Sequence, residues 1–296
     1  MLSKDIGRRA TIIAAACAAV ALTLGAAAGA NATPATSGTT GHHVHSHKVV
    51  MPQRGAHNRA QLAAGNLQYG GGPVETNPTV YLVFWGSQWD SDGNGVQQYL
   101  TDYFSGVGTG SDNWSTIMTQ YTDGNGNAPT FGNSVLGGTW VDDGSSAPGN
   151  ASASDISNEA NNGAAHFGVS GPNNDVFVVS PSGTSPDGFP NSGFCAWHDW
   201  NGNVAFTNMP YVLDAGQSCG ENSVQQALDG FSIVGGHEYA EAVTDPEPSS
   251  GWVASDGEEN GDLCAWQNLT TLSLPTGSFA IQPTWSNAAG GCATSG

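Results

Sequence analysis

The clearest hydrophobic pattern in this chain is an unbroken one. Residues 79–85, Thr-Val-Tyr-Leu-Val-Phe-Trp, are β-branched, aliphatic or aromatic throughout, with Asn77-Pro78 before them and Gly86 after. So short an apolar run between turn residues predicts a strand buried on both faces. A second run, Asp175-Val176-Phe177-Val178-Val179, ends at Pro181 and predicts another. Helical spacing predicts helices over 96–104, 114–121 and 155–167. The strongest helical pattern covers residues 221–244, where Val224, Leu228, Phe231 and Val234 recur at intervals of three and four and mark one buried face. Loops of Gly, Asn, Ser, Thr and Asp separate these elements. Strands interleaved with helices over about 230 residues predict one α+β domain, with a mixed sheet and packed helices.

The N-terminus follows another pattern. Lys4, Arg8 and Arg9 precede a run over 10–29 that is almost wholly small and aliphatic, and Ala30-Asn31-Ala32 supplies a small-x-small cleavage site. Residues 1–32 therefore predict a secretory signal peptide, too weakly hydrophobic to serve as a membrane span. Nothing downstream approaches the ~20 apolar residues a span needs, so the expected product is secreted, extracellular and monomeric. Residues 33–64 predict a His-rich basic tail or pro-segment. The tract Gly41-His42-His43-Val44-His45-Ser46-His47-Lys48 has metal-chelating composition. Residues 65–296 form the expected globular domain.

Charge and cysteine content narrow the chemistry. Beyond the signal, every Lys and Arg lies before residue 60 (Lys48, Arg54, Arg59), whereas 24 of the 25 acidic residues follow it. Nothing in that domain neutralises a phosphate, which excludes nucleic acid and anionic membranes as partners. Its buried carboxylates must meet backbone donors, protons or bound cations. Cys17 leaves with the signal, and Cys195, Cys219, Cys264 and Cys292 predict two disulfides. Three pairings are open. Cys195–Cys219 and Cys264–Cys292 are favoured because each closes a short, turn-rich loop, worth roughly 3 kcal/mol in the chain-entropy model.

The apolar stripe of the 221–244 helix runs into His237-Glu238-Tyr239-Ala240-Glu241. This is the zincin pattern H-E-x-x-H with its second His replaced by Glu. Residues four apart project side by side, so His237 and Glu241 are expected metal ligands, with Glu238 as general base. Gly235-Gly236 before them predicts close packing on a neighbour. A second acidic segment, Asp256-Gly257-Glu258-Glu259-Asn260-Gly261-Asp262-Leu263-Cys264, offers Glu259 or Asp262 as the third ligand. His198, in Phe194-Cys195-Ala196-Trp197-His198-Asp199-Trp200, is expected to be partly desolvated, as a further ligand or an acid–base group. Asp90-Ser91-Asp92-Gly93-Asn94-Gly95 matches the first half of a calcium loop, but Thr101 stands where a bidentate Glu is required, so a turn and helix start is expected there.

Taken in order, these segments resemble the phosphate-induced protein (EXORDIUM) family of plants and its bacterial relatives. Tyr81-Leu82-Val83-Phe84-Trp85-Gly86 is similar to that family's first strand, and Phe194-Cys195 with His198 to its Cys-Gly-Phe-His stretch. Gly236 to Glu241 with Thr244-Asp245-Pro246, and Glu259-Asn260-Gly261-Asp262-Leu263-Cys264, resemble two further motifs of it. The chain departs in carrying Asp245 where the plant pattern has Asn, and in lacking Lys and Arg over the domain. The resemblance implies an extracellular protein in which His198, His237, Glu238, Glu241, Glu259 and Asp262 belong to one arrangement.

The expectation from residues and resemblance together is a zinc-dependent hydrolase of zincin-like type acting on a polypeptide or cell-wall substrate, with calcium as the alternative cation. The rival expectation is a non-catalytic extracellular or cell-wall-associated protein with a structural metal site and nine Trp available for glycan stacking.

Overall fold

The computed structural model describes residues 48–55 and 65–296. The expected signal peptide and most of the His-rich tract lie outside the described residues. In chain order the first elements are strands β1 (Val49–Pro52), β2 (Gln68–Tyr69) and β3 (Thr79–Trp85), helix α1 (Val96–Gly106), strand β4 (Leu136–Asp142) and helix α2 (Ala153–Phe167). Strands β5 (Asn174–Val179), β6 (Phe194–Trp200) and β7 (Ala205–Met209) follow, then helix α3 (Asp229–Thr244) and strand β8 (Trp252–Val253). The chain closes with β9 (Thr270–Leu274), β10 (Gly277–Ile281), β11 (Thr284–Ser286) and β12 (Gly291–Ala293).

Six strands form one mixed sheet in the order β1-β6-β7-β5-β3-β4. β3 runs parallel to both β4 and β5, and β5 parallel to β7. A strand paired on both edges and covered on both faces must be apolar throughout, which accounts for the unbroken run at 79–85. Helices cover the two faces. A Cβ on Gly163 of α2 would meet Val83 and Val176, whereas α3 meets the opposite face, with Gly235 near Phe104 and Phe177. The fold is the expected α+β domain with a mixed sheet.

Two expected helices differ in detail. Residues 115–120 form a 3-10 turn rather than an α-helix. The helix expected over 221–244 begins at Asp229. Asp229 Oδ2 accepts the N–H groups of Val224, Gln225 and Gln226 at 2.7–3.1 Å, which holds 224–228 in a turn instead of a first helical turn. Local side-chain capture of backbone donors competes with helix in this way. The Asp90–Gly95 loop is the expected turn and helix start, with Asp92 Oδ2 accepting the Gln97 N–H at 2.8 Å.

Part of the stretch expected as a tail belongs to the sheet. β1 pairs antiparallel with β6, placing Val49 opposite His198. Lys48 is ion-paired with Asp187 and stacks over the Trp197 ring, and Arg54 lies over Trp266 and donates to Ser223 Oγ. Both cations are thus committed at the surface, outside the acidic interior. The disulfides are Cys195–Cys219 and Cys264–Cys292, the favoured pairing. Among the described residues no helix is long and apolar enough to cross a membrane.

Candidate metal centre

Every residue of α3 is buried. A helix of this kind, with Gly235, Gly236, Ala240 and Ala242 among Phe231, Ile233 and Val234, has no solvent face and serves as the core of the domain. Gly236 permits its depth, since a Cβ there would lie 2.4 Å from Tyr103 Oη. The consequence for His237, Glu238 and Glu241 is severe. All three are fully buried, so their polar atoms must be satisfied from within the protein or by a bound species.

Three elements converge on them. β6 presents His198, whose row in the sheet faces α3, and the loop after β8 presents Glu259 and Asp262. His237 Nε2 lies 2.9 Å from Glu241 Oε1 and 3.5 Å from Asp262 Oδ1. Donor atoms around a tetrahedral zinc ion, with bonds of about 2.0–2.1 Å, stand roughly 3.3 Å apart, so these separations are those of atoms facing a common centre. His237 Nε2 is also without an aligned hydrogen-bond partner, despite its close approach to Glu241.

On the other side of Glu241, His198 Nδ1 lies 3.2 Å from Glu238 Oε2 and 3.5 Å from Glu241 Oε2. His198 Nε2 faces the Asp245 carbonyl at 3.3 Å and Glu259 Oε2 at 3.6 Å. Glu259 and Asp262, expected as alternatives for one role, are therefore divided. Asp262 joins His237, and Glu259 joins His198. Two groups of three could each hold a metal ion, His237 with Glu241 and Asp262, and His198 with Glu238 and Glu241.

The loop is held in place by specific bonds. Asp262 N–H donates to Glu241 Oε1 at 2.9 Å, and Asn260 Nδ2 donates to Ala240 O and Thr244 Oγ1. The Cys264–Cys292 bridge anchors its far end. Asp245 closes the C-terminal end of α3, its carboxylate accepting the N–H groups of Ser249, Ser250 and Gly251. Gln282, just after β10, donates from Nε2 to Gly261 O and faces His237 Nδ1, both at 2.9 Å. Nothing in the spacing of the sequence signals Gln282. Its only mark is a polar residue closing the apolar run Phe279-Ala280-Ile281.

Gly261 is the point of closest approach. A Cβ there would sit 2.8 Å from Glu241 Oε1 and 2.9 Å from His237 Nδ1. Gly261→Ala is expected to force the loop away from the helix, destabilising the fold by about 1–3 kcal/mol, the usual range for overpacking. It should also weaken cation binding more than a matched surface substitution does. Thermal unfolding with competition against a chromophoric chelator reads both, and unchanged values would refute the close contact.

The electrostatics follow from burial without Lys or Arg. For His198, burial disfavours the imidazolium, but the hydrogen bond to Glu238 and the fields of Glu241, Glu238 and Asp245 outweigh it and raise its pKa to about 9. The same opposition, with Glu241 and Asp262 as the main partners, holds His237 well above its ordinary value. Burial, then the field of Asp262, pushes Glu241 up to about 8, against the pull of His237. Glu259 rises well above the carboxylate range, from burial first and then from Asp245 and Glu241. Neighbouring carboxylates thus favour the protonated imidazoles, burial favours the protonated Glu241 and Glu259, and a bound cation would compete with the protons on its ligands.

No family model, curated protein or solved structure matches this chain. The chemistry of the centre therefore rests on its own geometry.

Proposed function

We propose that this protein is a secreted metal-dependent hydrolase with a zincin-like centre, acting on polypeptides. His237 Nε2, Glu241 Oε1 and Asp262 Oδ1 hold the cation, and a mixed His/carboxylate set of three with an open position suits zinc. A cation bound there would supply Lewis acidity and acidify a coordinated water. Glu238, whose Oε1 has no hydrogen-bond partner, is the proton acceptor. Asp262 is the least buried group of the centre, at 9% exposure, so a substrate would have to approach from its side. The two disulfides suit folding in an oxidising compartment.

The observation that supports this most directly is the convergence of His237, Glu241 and Asp262 at 2.9 and 3.5 Å in a buried cluster with no Lys or Arg. Glu238→Gln tests it. The variant is expected to keep cation at the His237 centre and to lose about 10²–10⁴-fold in peptide hydrolysis, the usual contribution of a positioned proton acceptor. Wild-type protein that purifies without metal and takes none up, or a fully active variant, overturns the assignment.

The burial of the centre supports a second reading, a structural cation in a non-catalytic extracellular or wall-associated protein. Chelation then lowers the melting temperature, and a broad peptide library stays uncut by the metal-loaded wild type.

A further inference from the structure

The geometry points to a second divalent cation in the same cluster, held by His198 Nδ1, Glu238 Oε2 and Glu241 Oε2, with Glu241 bridging the two ions. This rests on reading the His237 group as a metal centre and extends it from one ion to a pair.

Glu241 carries the argument. Its Oε1 faces His237 at 2.9 Å and its Oε2 faces His198 at 3.5 Å. A carboxylate whose two oxygens are directed at two different imidazoles is disposed as a bridging ligand. Paired-metal hydrolases place their ions about 3.5–4 Å apart, a separation one carboxylate spans. Yet Oε2 has no hydrogen-bond partner and is buried.

The surroundings of His198 agree. A metal-ligating histidine characteristically donates its other ring N–H to a carbonyl or carboxylate, which sets the tautomer and ring orientation. His198 Nε2 faces the Asp245 carbonyl at 3.3 Å, leaving Nδ1 as the lone-pair nitrogen turned toward Glu238 and Glu241. Asp245 is itself held by three backbone N–H groups, so the acceptor is a fixed one.

The donor set also suffices for two ions. Glu238, Glu241, Glu259 and Asp262 are all buried around the two imidazoles, and among the described residues no Lys or Arg is paired with them. Both oxygens of Glu259 are buried without a hydrogen-bond partner on the Nε2 side of His198, so this carboxyl group flanks the second site without ligating it. Glu238 then ligates through Oε2 while its unpartnered Oε1 remains the proton acceptor.

The test is a metal titration of the full secreted chain after chelation, with Zn2+ and Mn2+ as probes. Two equivalents per chain are expected for the wild type by equilibrium dialysis and elemental analysis. His198→Gln and Glu238→Gln should each bind one. Because His198 lies in the sheet, where a replacement can perturb folding, the deciding measurement uses the unmutated protein. With two equivalents of Mn2+, its electron paramagnetic resonance spectrum should show an exchange-coupled pair. A single equivalent, lost in His237→Gln and kept in His198→Gln, overturns the second site and leaves the first standing. Two magnetically isolated Mn2+ ions overturn the bridge, and no binding at all overturns both.

Discussion

Replacing Glu241 with Gln is expected to abolish cation binding while leaving the chelated protein at least as stable as the chelated wild type. The amide retains the volume and an oxygen to accept the Asp262 N–H, now at 2.9 Å from Oε1. It removes the charge that faces both imidazoles. Loss of partners outside the ligand shell typically weakens metal affinity 10–100-fold, so losing a ligand should cost more than about 10²-fold. The stability consequence follows by linkage. A ligand present at about 100 times its dissociation constant stabilises the fold by roughly 2.7 kcal/mol, and this increment should vanish in the variant.

The comparison of chelated proteins is the more informative half. Burial and Asp262 hold the Glu241 carboxyl up at about 8, so an ionised group there is unfavourable when no cation faces it, and a neutral amide relieves that. Metal affinity should also fall as the pH is lowered, because protons retained on His198 and Glu241 compete with the cation. Calorimetric unfolding with and without chelator measures these effects. A variant that still gains stability from zinc would exclude Glu241 as a ligand.

The second large effect is expected from the disulfides, and it should differ in kind between them. The bridges join residues 24 and 28 apart, so the chain-entropy model assigns each about 3.5 kcal/mol. Paired Cys→Ser variants should therefore lose similar stability, within the usual 2–5 kcal/mol for small secreted domains. Their effects on the centre should diverge. Cys264 closes the 3-10 turn that begins at Asp262, whereas Cys195 lies in β6 three residues from His198, within a paired strand. A strand held by ladders on both sides keeps its register without the bridge, and a loop does not. Loss of Cys264–Cys292 should accordingly weaken binding at the His237 group, while loss of Cys195–Cys219 leaves that affinity within a few-fold. Equal losses of affinity would show that the bridges act only on global stability.

Much of this protein was legible along the chain because its signals are local. The unbroken run at 79–85 requires a strand covered on both faces, and it is β3, an interior strand paired on both edges. The His-Glu-x-x-Glu spacing places His237 and Glu241 on one side of a helix whatever else the fold does, and the structure finds them 2.9 Å apart. The four cysteines beyond the expected signal allowed three pairings, and the shortest loops won.

Where the same reading stopped, the deciding contact was distant in sequence or competed with a local pattern. The apolar stripe through Val224 and Leu228 has helical spacing, but the Asp229 carboxylate captures the backbone donors that a first turn would need. An apolar stripe also says nothing of the opposite face, and only the packed sheet and α1 reveal that α3 is buried all round. The division of Glu259 from Asp262, the partner of His237 in Gln282, and the direction of each Glu241 oxygen are set by segments distant in the chain, such as Gln282 and His237, 45 residues apart. The sequence by itself determined which groups are candidates for the chemistry and that the domain from residue 60 on has no Lys or Arg to balance them. Only the tertiary structure decided which oxygen faces which imidazole, because that depends on how a strand, a helix and a cross-linked loop close on one another.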